Sequence, residues 1–273
     1  MRKKLIFFLY IGNDKSPQER ISAGIAAKIH FGCLKKWRYV FDEAKFILSV
    51  KKEQIGNTEL ISEYVRFIMD LGYVENTEFV IEENTEFREA KVFKYEIVDN
   101  GENEGRLVFF SHLRGEFMDD ENMGRWIFSN YFYALTNEWE LNYWLIEYNK
   151  IFYGFPLADA RRVIEQPCEL LPYYRYLYIG SIYWTNVSLF REYVHNKQRK
   201  IPEVNNRFYS EHLPGNVVEY EMTATANYVS VPSGIDMYTE YDKILTDWSN
   251  ASGRSLDDFN AEYDKMKNQG MNP

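Results

Sequence analysis

Leu107-Val108-Phe109-Phe110 runs straight into Ser111-His112-Leu113-Arg114-Gly115. An unbroken apolar run of that length reads as a strand buried on both faces, and the polar residues and glycine after it mark its end. In open α/β sheets the carboxyl ends of strands are where ligands bind. An imidazole and a guanidinium at that place suit an anionic ligand.

The segments upstream alternate strand and helix. Leu5 to Ile11 reads as a buried strand, and Ser16-Pro17-Gln18-Glu19 supplies an N-cap, a first-turn proline and an acid for a helix to about His30. Lys45 to Val50 is a second strand. Thr58 opens a helix whose Ile61, Val65, Ile68 and Met69 share one face, and Gly72 ends it. Glu78 to Glu82 is a third strand, Glu86 to Val98 a helix with a less regular stripe, and Leu107 to Ser111 the fourth strand.

This alternation predicts an α/β fold: a Rossmann-like, mostly parallel sheet flanked by helices and joined by right-handed crossovers. Arg125 to Lys150 reads as one long buried helix or two shorter ones, and Ile151 to Leu157 as a strand entering a turn. Past Pro232-Ser233-Gly234 come an amphipathic helix near Met237 to Trp248, a break at Gly253 and a helix opened by Ser255. The expected division is one domain over 1–235, with a nucleotide-binding half at 1–115 and an acceptor half at 116–235. A C-terminal helical extension covers 236–273.

With 273 residues, 45% of them hydrophobic, the chain can bury a full core. Its net charge of −9 argues against a nucleic-acid partner, which needs a basic face to release counterions. A few placed Arg and His groups can still hold a diphosphate. Cys33 and Cys168 lie far apart and read as buried thiols rather than a zinc site or a disulfide framework. Met1-Arg2-Lys3-Lys4 before Leu5 to Ile11 superficially resembles a signal peptide, but the apolar run is short and no small-residue cleavage site follows. No stretch approaches the ~18 apolar residues of a membrane span, so the expectation is a cytoplasmic protein. Aromatic residues make up 17%, and flat rings with polar tips suit sugars and nucleobases as well as cores.

The chain has no G-x-G-x-x-G after its first strand and no G-x-x-x-x-G-K-[ST], so neither phosphate fingerprint is present. His30, His112, His195 and His212 are scattered, which disfavours metal hydrolysis, and no G-x-S-x-G elbow occurs. Group transfer from an activated donor remains. Two later segments are the companions of the strand end: Tyr178-Ile179-Gly180-Ser181-Ile182-Tyr183-Trp184 and Tyr209-Ser210-Glu211-His212-Leu213-Pro214-Gly215.

Taken in order, Phe109 to Gly115, Arg125-Trp126, Gly180 to Trp184 and Ser210-Glu211 resemble a family of small glycosyltransferases with a GT-A-like fold. Members occur in bacterial polysaccharide clusters and in large algal viruses, including the capsid-glycan enzymes of chloroviruses. The resemblance covers roughly Leu5 to Gly215. It departs at Leu113-Arg114-Gly115, where Thr-Lys-Gly is commoner, and at Ser181 and Ile182, where Asn and Phe are usual. It implies transfer of a sugar from a nucleotide-sugar donor, UDP-linked, to a hydroxyl of a saccharide or glycoprotein glycan. A viral source would place the enzyme in the host cytoplasm. The alternative is a non-catalytic carbohydrate-binding protein on a degenerate transferase fold.

A GT-A enzyme usually presents Asp-x-Asp at the end of its central strand to hold a divalent metal on the donor diphosphate. Here His112, Arg114 and Gly115 stand in that place. Arginine makes bidentate charge-assisted bonds to phosphate oxygens and stabilises the charge on departing UDP. The expectation is therefore that no cofactor is required and no metal ligands are assigned. Mn²⁺ or Mg²⁺ bound through Asp119, Asp120 or another acid stays open, as does a plain turn histidine beside a surface arginine.

Glu211 is the candidate general base of an inverting transfer, with His212 orienting it or binding phosphate. A surface Glu-His pair capping a turn is the alternative. Gly180 allows close backbone approach, and Trp126, Ser181, Tyr183 and Trp184 are candidates for sugar or acceptor contact. Tyr183 and Trp184 point to opposite faces of a strand, so only one of them faces a ligand unless the segment bends. Tyr10, Gly12 and Asn13 occupy the nucleobase and ribose position, and Arg161 and Arg162 are further phosphate candidates.

Overall fold

The computed structural model describes residues 1–12, 15–113, 120–136, 138–155, 157–159, 176–178, 181–204, 209–225, 245–246, 249–250 and 255–268. The chain opens with β1 (Arg2–Ile11), α1 (Pro17–Ala23), α2 (Ile25–Trp37), β2 (Glu43–Val50), α3 (Thr58–Asp70) and β3 (Thr77–Glu83). It continues through α4 (Arg88–Lys94), β4 (Arg106–His112), α5 (Glu121–Leu135), α6 (Glu138–Asn142), β5 (Phe152–Gly154) and β6 (Leu157–Asp159). Then follow β7 (Tyr176–Tyr178), β8 (Tyr183–Asn186), α7 (Val187–Asn196), α8 (Tyr209–Val217), β9 (Thr223–Thr225) and α9 (Leu256–Asn268).

The fold is α/β. Among the described residues a seven-stranded sheet has the order β3-β2-β1-β4-β8-β5-β9, and β6 and β7 form a separate antiparallel pair. β3, β2, β1 and β4 are parallel, β8 runs antiparallel to β4 and β5, and β9 is parallel to β5. The sheet is thus mostly parallel and flanked by helices, as the alternation predicts.

Local chemistry explains most element ends. Ser16 and Glu19 form a reciprocal capping box before Pro17, with Glu19 Oε2 accepting from Ser16 N–H at 2.7 Å. The helix expected to run on to His30 is interrupted by the extended backbone of Gly24, which ends α1 and begins α2. Asn57 caps α3 by accepting from Leu60 N–H at 3.2 Å, and Gly72 leaves that helix at φ +101°, a region that favours glycine. The helix expected over Glu86 to Val98 is shorter and less regular. α4 passes into a π turn over Tyr95–Asp99, so its apolar residues do not keep a single helical stripe. Arg125 to Lys150 resolves into α5, α6 and a π turn over Tyr143–Glu147.

Two apolar layers cover the sheet. Leu5, Phe7, Leu9 and Ile11 of β1 share one with Phe46, Phe109, Trp184 and helices α2 and α5. Ile6 and Phe8 share the other with Ile47, Phe110, Tyr183 and helices α4, α7 and α8. Burial on both faces is why the central strands are apolar without alternation. At the amino edge of the second layer, buried Lys45 donates to Glu96 Oε1 at 2.8 Å and Lys4 to Asn103 Oδ1 at 3.0 Å. Asn103 in turn donates to Glu96 Oε2 at 2.8 Å, which ties the π turn after α4 to the sheet.

The helix opened by Ser255 is present as α9, and its Phe259 and Tyr263 are buried in the first layer, Phe259 lying 5.2 Å from Phe128 between ring centroids. The helix expected near Met237 to Trp248 lies, but for Leu245 and Thr246, outside the described residues. No described helix is long and apolar enough to cross a membrane.

Candidate functional site

After β1 the chain builds outward through β2 and β3, then crosses back to lay β4 against the other side of β1. β4 and β1 therefore end side by side where the strand order reverses, the place at the carboxyl edge where open α/β sheets bind ligands. His112 stands beside Phe8 in the β1–β4 ladder, Leu113 N–H donates to Phe8 O at 3.1 Å, and β1 runs on to Ile11. Tyr10 and Gly12 thus project past the end of β4. The Tyr10 ring lies against Gly12 so closely that a Cβ there would come within 2.2 Å of a ring carbon, so a larger residue would have to displace the ring.

His112 faces the α4 side. Its Nδ1 lies 2.7 Å from Glu89 Oε2, in the first turn of α4. Ser210 Oγ donates to the other oxygen of the same carboxylate at 3.4 Å and is 2.7 Å from Ser181 Oγ. The strand end and the start of α8 therefore meet on one carboxylate, and the turn before β8 joins them through Ser210; the sequence reading does not name that carboxylate. Glu89 stands close to Glu82, Glu83 and Glu86, and nothing in the local pattern separates it from acids that face solvent. Its place just before the apolar Ala90 at a helix start is the one available signal.

The backbone is strained on both sides of this contact. Phe87 at φ +56° and Ser181 at φ +55° occupy the left-handed region, which costs a non-glycine residue about 1–3 kcal/mol and is concentrated at functional sites. Asparagine, the commoner residue at the place of Ser181 in the resembled family, enters that region more readily.

Glu211 and His212 follow Ser210 in α8 and are 7% and 5% exposed. Burial pushes the His212 imidazole below its ordinary range, and the Glu211 charge offsets this only in part. Tyr183 Oη donates to the Ser210 carbonyl at 2.6 Å, and burial holds that phenol far above its usual range, so it stays a neutral donor. On the β1 side Arg20 is buried, donates to Tyr10 O at 2.7 Å and sits over the Tyr64 ring at 5.9 Å. It fixes the chain leaving β1. Nothing in the local sequence separates Arg20 from a solvent-facing arginine of a helix.

Three candidate rings take other places. Trp184 is fully buried in the opposite layer, where its Nε1 donates to Ala134 O at 3.0 Å. Trp126 lies in that same layer at 2% exposure. Both are sequence candidates for sugar or acceptor contact; pairing with Phe109 turns Trp184 toward α5, and Trp126 packs in the core against the sheet. Tyr183 lies on the site's side of the sheet but is also fully buried, so it supports α8 rather than walls a sugar.

His30 is a core histidine, its Nδ1 3.0 Å from Tyr131 Oη. Asp120 caps α5 by accepting from Met123 N–H at 2.7 Å, and Glu121 pairs with Lys267. Among the described residues no group of three His, Cys, Asp or Glu side chains is placed to hold a metal ion. Asn13, Arg114, Gly115, Asp119, Arg161, Arg162 and Gly180 lie outside the described residues. The chain matches no protein-family model and no curated protein.

Proposed function

We propose that this chain is a glycosyltransferase of GT-A-like arrangement that moves a sugar from a UDP-linked donor onto a hydroxyl of a saccharide or glycan. One observation carries the reading: His112 at the strand end and Ser210 beside Glu211 meet on Glu89, with Ser181 bonded to Ser210, where β4 ends beside β1. A crevice at the point where strand order reverses is the expected seat of a nucleotide in an open α/β sheet.

With Nδ1 of His112 committed to Glu89, any contact with the donor is made through Nε2. His112 and Arg114 then meet the diphosphate and stabilise the charge that grows on UDP as the bond to the anomeric carbon breaks. Tyr10, Gly12 and Asn13 receive the nucleoside, and Arg161 and Arg162 add to the phosphate contacts. Glu211 takes the proton of the acceptor hydroxyl as its oxygen attacks opposite the leaving group, a general-base step worth ~10²–10⁴-fold. Ser181 stands at the same edge for the sugar or acceptor.

On this reading the transfer runs without a metal ion. Of the described acids nearby, Glu89 is engaged by His112 and Ser210, and Asp120 caps the first turn of α5.

Thermal-shift titration with UDP, followed by UDP-sugar hydrolysis with and without excess chelator, tests both statements. The expected result is stabilisation by UDP and hydrolysis of at least one UDP-sugar, undiminished by chelator. If no nucleotide stabilises the protein, the transferase reading falls and a carbohydrate-binding protein becomes the better account. Strict dependence on Mn²⁺ or Mg²⁺ would overturn the metal-free step alone.

A further inference from the structure

The edge of the sheet opposite His112 carries a ladder of exposed rings. Helix α6 and the π turn after it sit at the amino edge: Glu138 pairs with Lys3 of β1, and Asn186 of β8 donates to Leu145 O at 3.0 Å. Lys3 and Phe8, the ladder neighbour of His112, are separated along β1 by about 17 Å at ~3.3 Å per residue.

Trp139 and Tyr143 are stacked with ring centroids 5.3 Å apart and planes 20° apart, and Tyr143 lies 4.4 Å from Tyr148. Trp144 meets Tyr143 and Tyr148 edge-on at 4.9 and 5.7 Å, and part of it packs on the core. One helical turn separates the first two rings, and the extra residue of the π turn brings the third into line. Trp139 is 69% exposed and Tyr148 55% exposed. Rings left in water to that extent contribute little to the core, and an exposed apolar patch of this kind marks a binding surface.

We infer that this ladder is a platform for a neutral saccharide chain, separate from the edge at His112. Aromatic faces carry the negative side of the ring quadrupole, and they attract the polarised C–H groups on the flat face of a pyranose. The rings already hold one another in place, so little freedom is lost when a ligand arrives. Glu147, exposed, stands among the rings and supplies acceptors for sugar hydroxyls, and Glu138, also exposed, stands there paired with Lys3. Those carboxylates disfavour the other occupants: a dry protein contact would have to desolvate them, and their charge repels anionic lipid and nucleic-acid phosphate. The inference does not rest on the transferase reading.

The test is tryptophan fluorescence and titration calorimetry on the full chain with neutral hexasaccharides of glucose, xylose, mannose and galactose. At least one hexasaccharide is expected to bind and to perturb the emission. Trp139→Ala and, separately, Tyr148→Ala are expected to weaken it by about tenfold or more, with melting temperature and UDP binding unchanged. The proposal is overturned if no hexasaccharide binds at millimolar concentration, or if both variants bind as tightly as the parent. It is equally overturned if Trp139→Ala abolishes self-association or vesicle binding while leaving hexasaccharide affinity intact. The unchanged UDP response keeps this outcome distinct from failure of the transferase reading.

Discussion

Tyr183 Oη donates at 2.6 Å to the carbonyl of Ser210, the very carbonyl that Pro214, one helical turn on in α8, has no N–H to serve. The tyrosine of β8 thus compensates for the proline of α8. At the other end of that helix Tyr176 Oη lies 3.0 and 2.7 Å from the Pro214 and Val218 carbonyls. Tyrosines of β7 and β8 therefore hold α8, and with it Ser210, Glu211 and His212, against the sheet.

Tyr183→Phe keeps the ring packed on Phe93 and Phe152 and removes only the donor. A buried carbonyl deprived of its partner costs about 1–3 kcal/mol, and urea denaturation of the variant should show a loss in that range. A loss below about 0.5 kcal/mol would mean that another group serves the carbonyl.

Glu89→Ala cuts the contact that orients His112 and leaves Ser210 Oγ bonded to Ser181 Oγ. Partners that orient a metal-binding histidine are worth about 10–100-fold, and on the transferase reading a fall of the same order in UDP-sugar turnover is expected here. Glu89→Gln, which keeps an acceptor for Nδ1, should recover part of it. The side chain of Glu89 is 26% exposed, so the melting temperature should move little. Full turnover in Glu89→Ala would remove the residue from the site.

The pH dependence of stability should carry the mark of His212. Burial holds this imidazole below the ordinary value of 6.5, with Glu211 offsetting part of the effect. As pH falls through the ordinary value, the unfolded chain takes up a proton that the folded chain resists, so stability falls with pH until the folded-state value is passed. His212→Gln removes that contribution. Unfolding free energies measured between about pH 7 and about pH 5 should therefore decline less in the variant than in the parent. Parallel curves would place His212 outside the acid response.

β1, β2 and β4 were legible because a sheet covered on both faces demands unbroken apolar runs such as Leu5 to Ile11 and Leu107 to Phe110. The cap at Ser16 was legible for an equally local reason. Glu89 was not, since its role arises only when the crossover lays α4 across the end of β4. Trp184 shows a different limit: alternation separates it from Tyr183, but only the pairing with Phe109 decides which of the two layers receives it. The segment from Tyr209 to Gly215 reads as a loop or a short-helix start because it contains Pro214 and Gly215. The helix continues to Val217 because a tyrosine distant in sequence supplies the hydrogen bond the proline omits.

Two glycine substitutions should differ for a reason that returns to Tyr183. Gly154 of β5 pairs with Tyr183 in the ladder, and a Cβ at Gly154 would lie 2.4 Å from Tyr183 Cβ and 3.1 Å from its Cα. Neither atom can move unless β8 moves. A Cβ at Gly32 of α2 would instead meet Met266 Sδ at 2.2 Å, the far end of a flexible side chain on α9. Gly154→Ala should therefore cost about 1–3 kcal/mol or more, while at Gly32 the better helix propensity of alanine, roughly 1 kcal/mol, offsets much of the repacking. A shift of β8 also carries Tyr183 Oη away from Ser210. The losses from Gly154→Ala and Tyr183→Phe should then fall short of additive in the double variant, because both act through the same hydrogen bond. Strict additivity in urea denaturation would show that β5 and α8 are not coupled through this tyrosine.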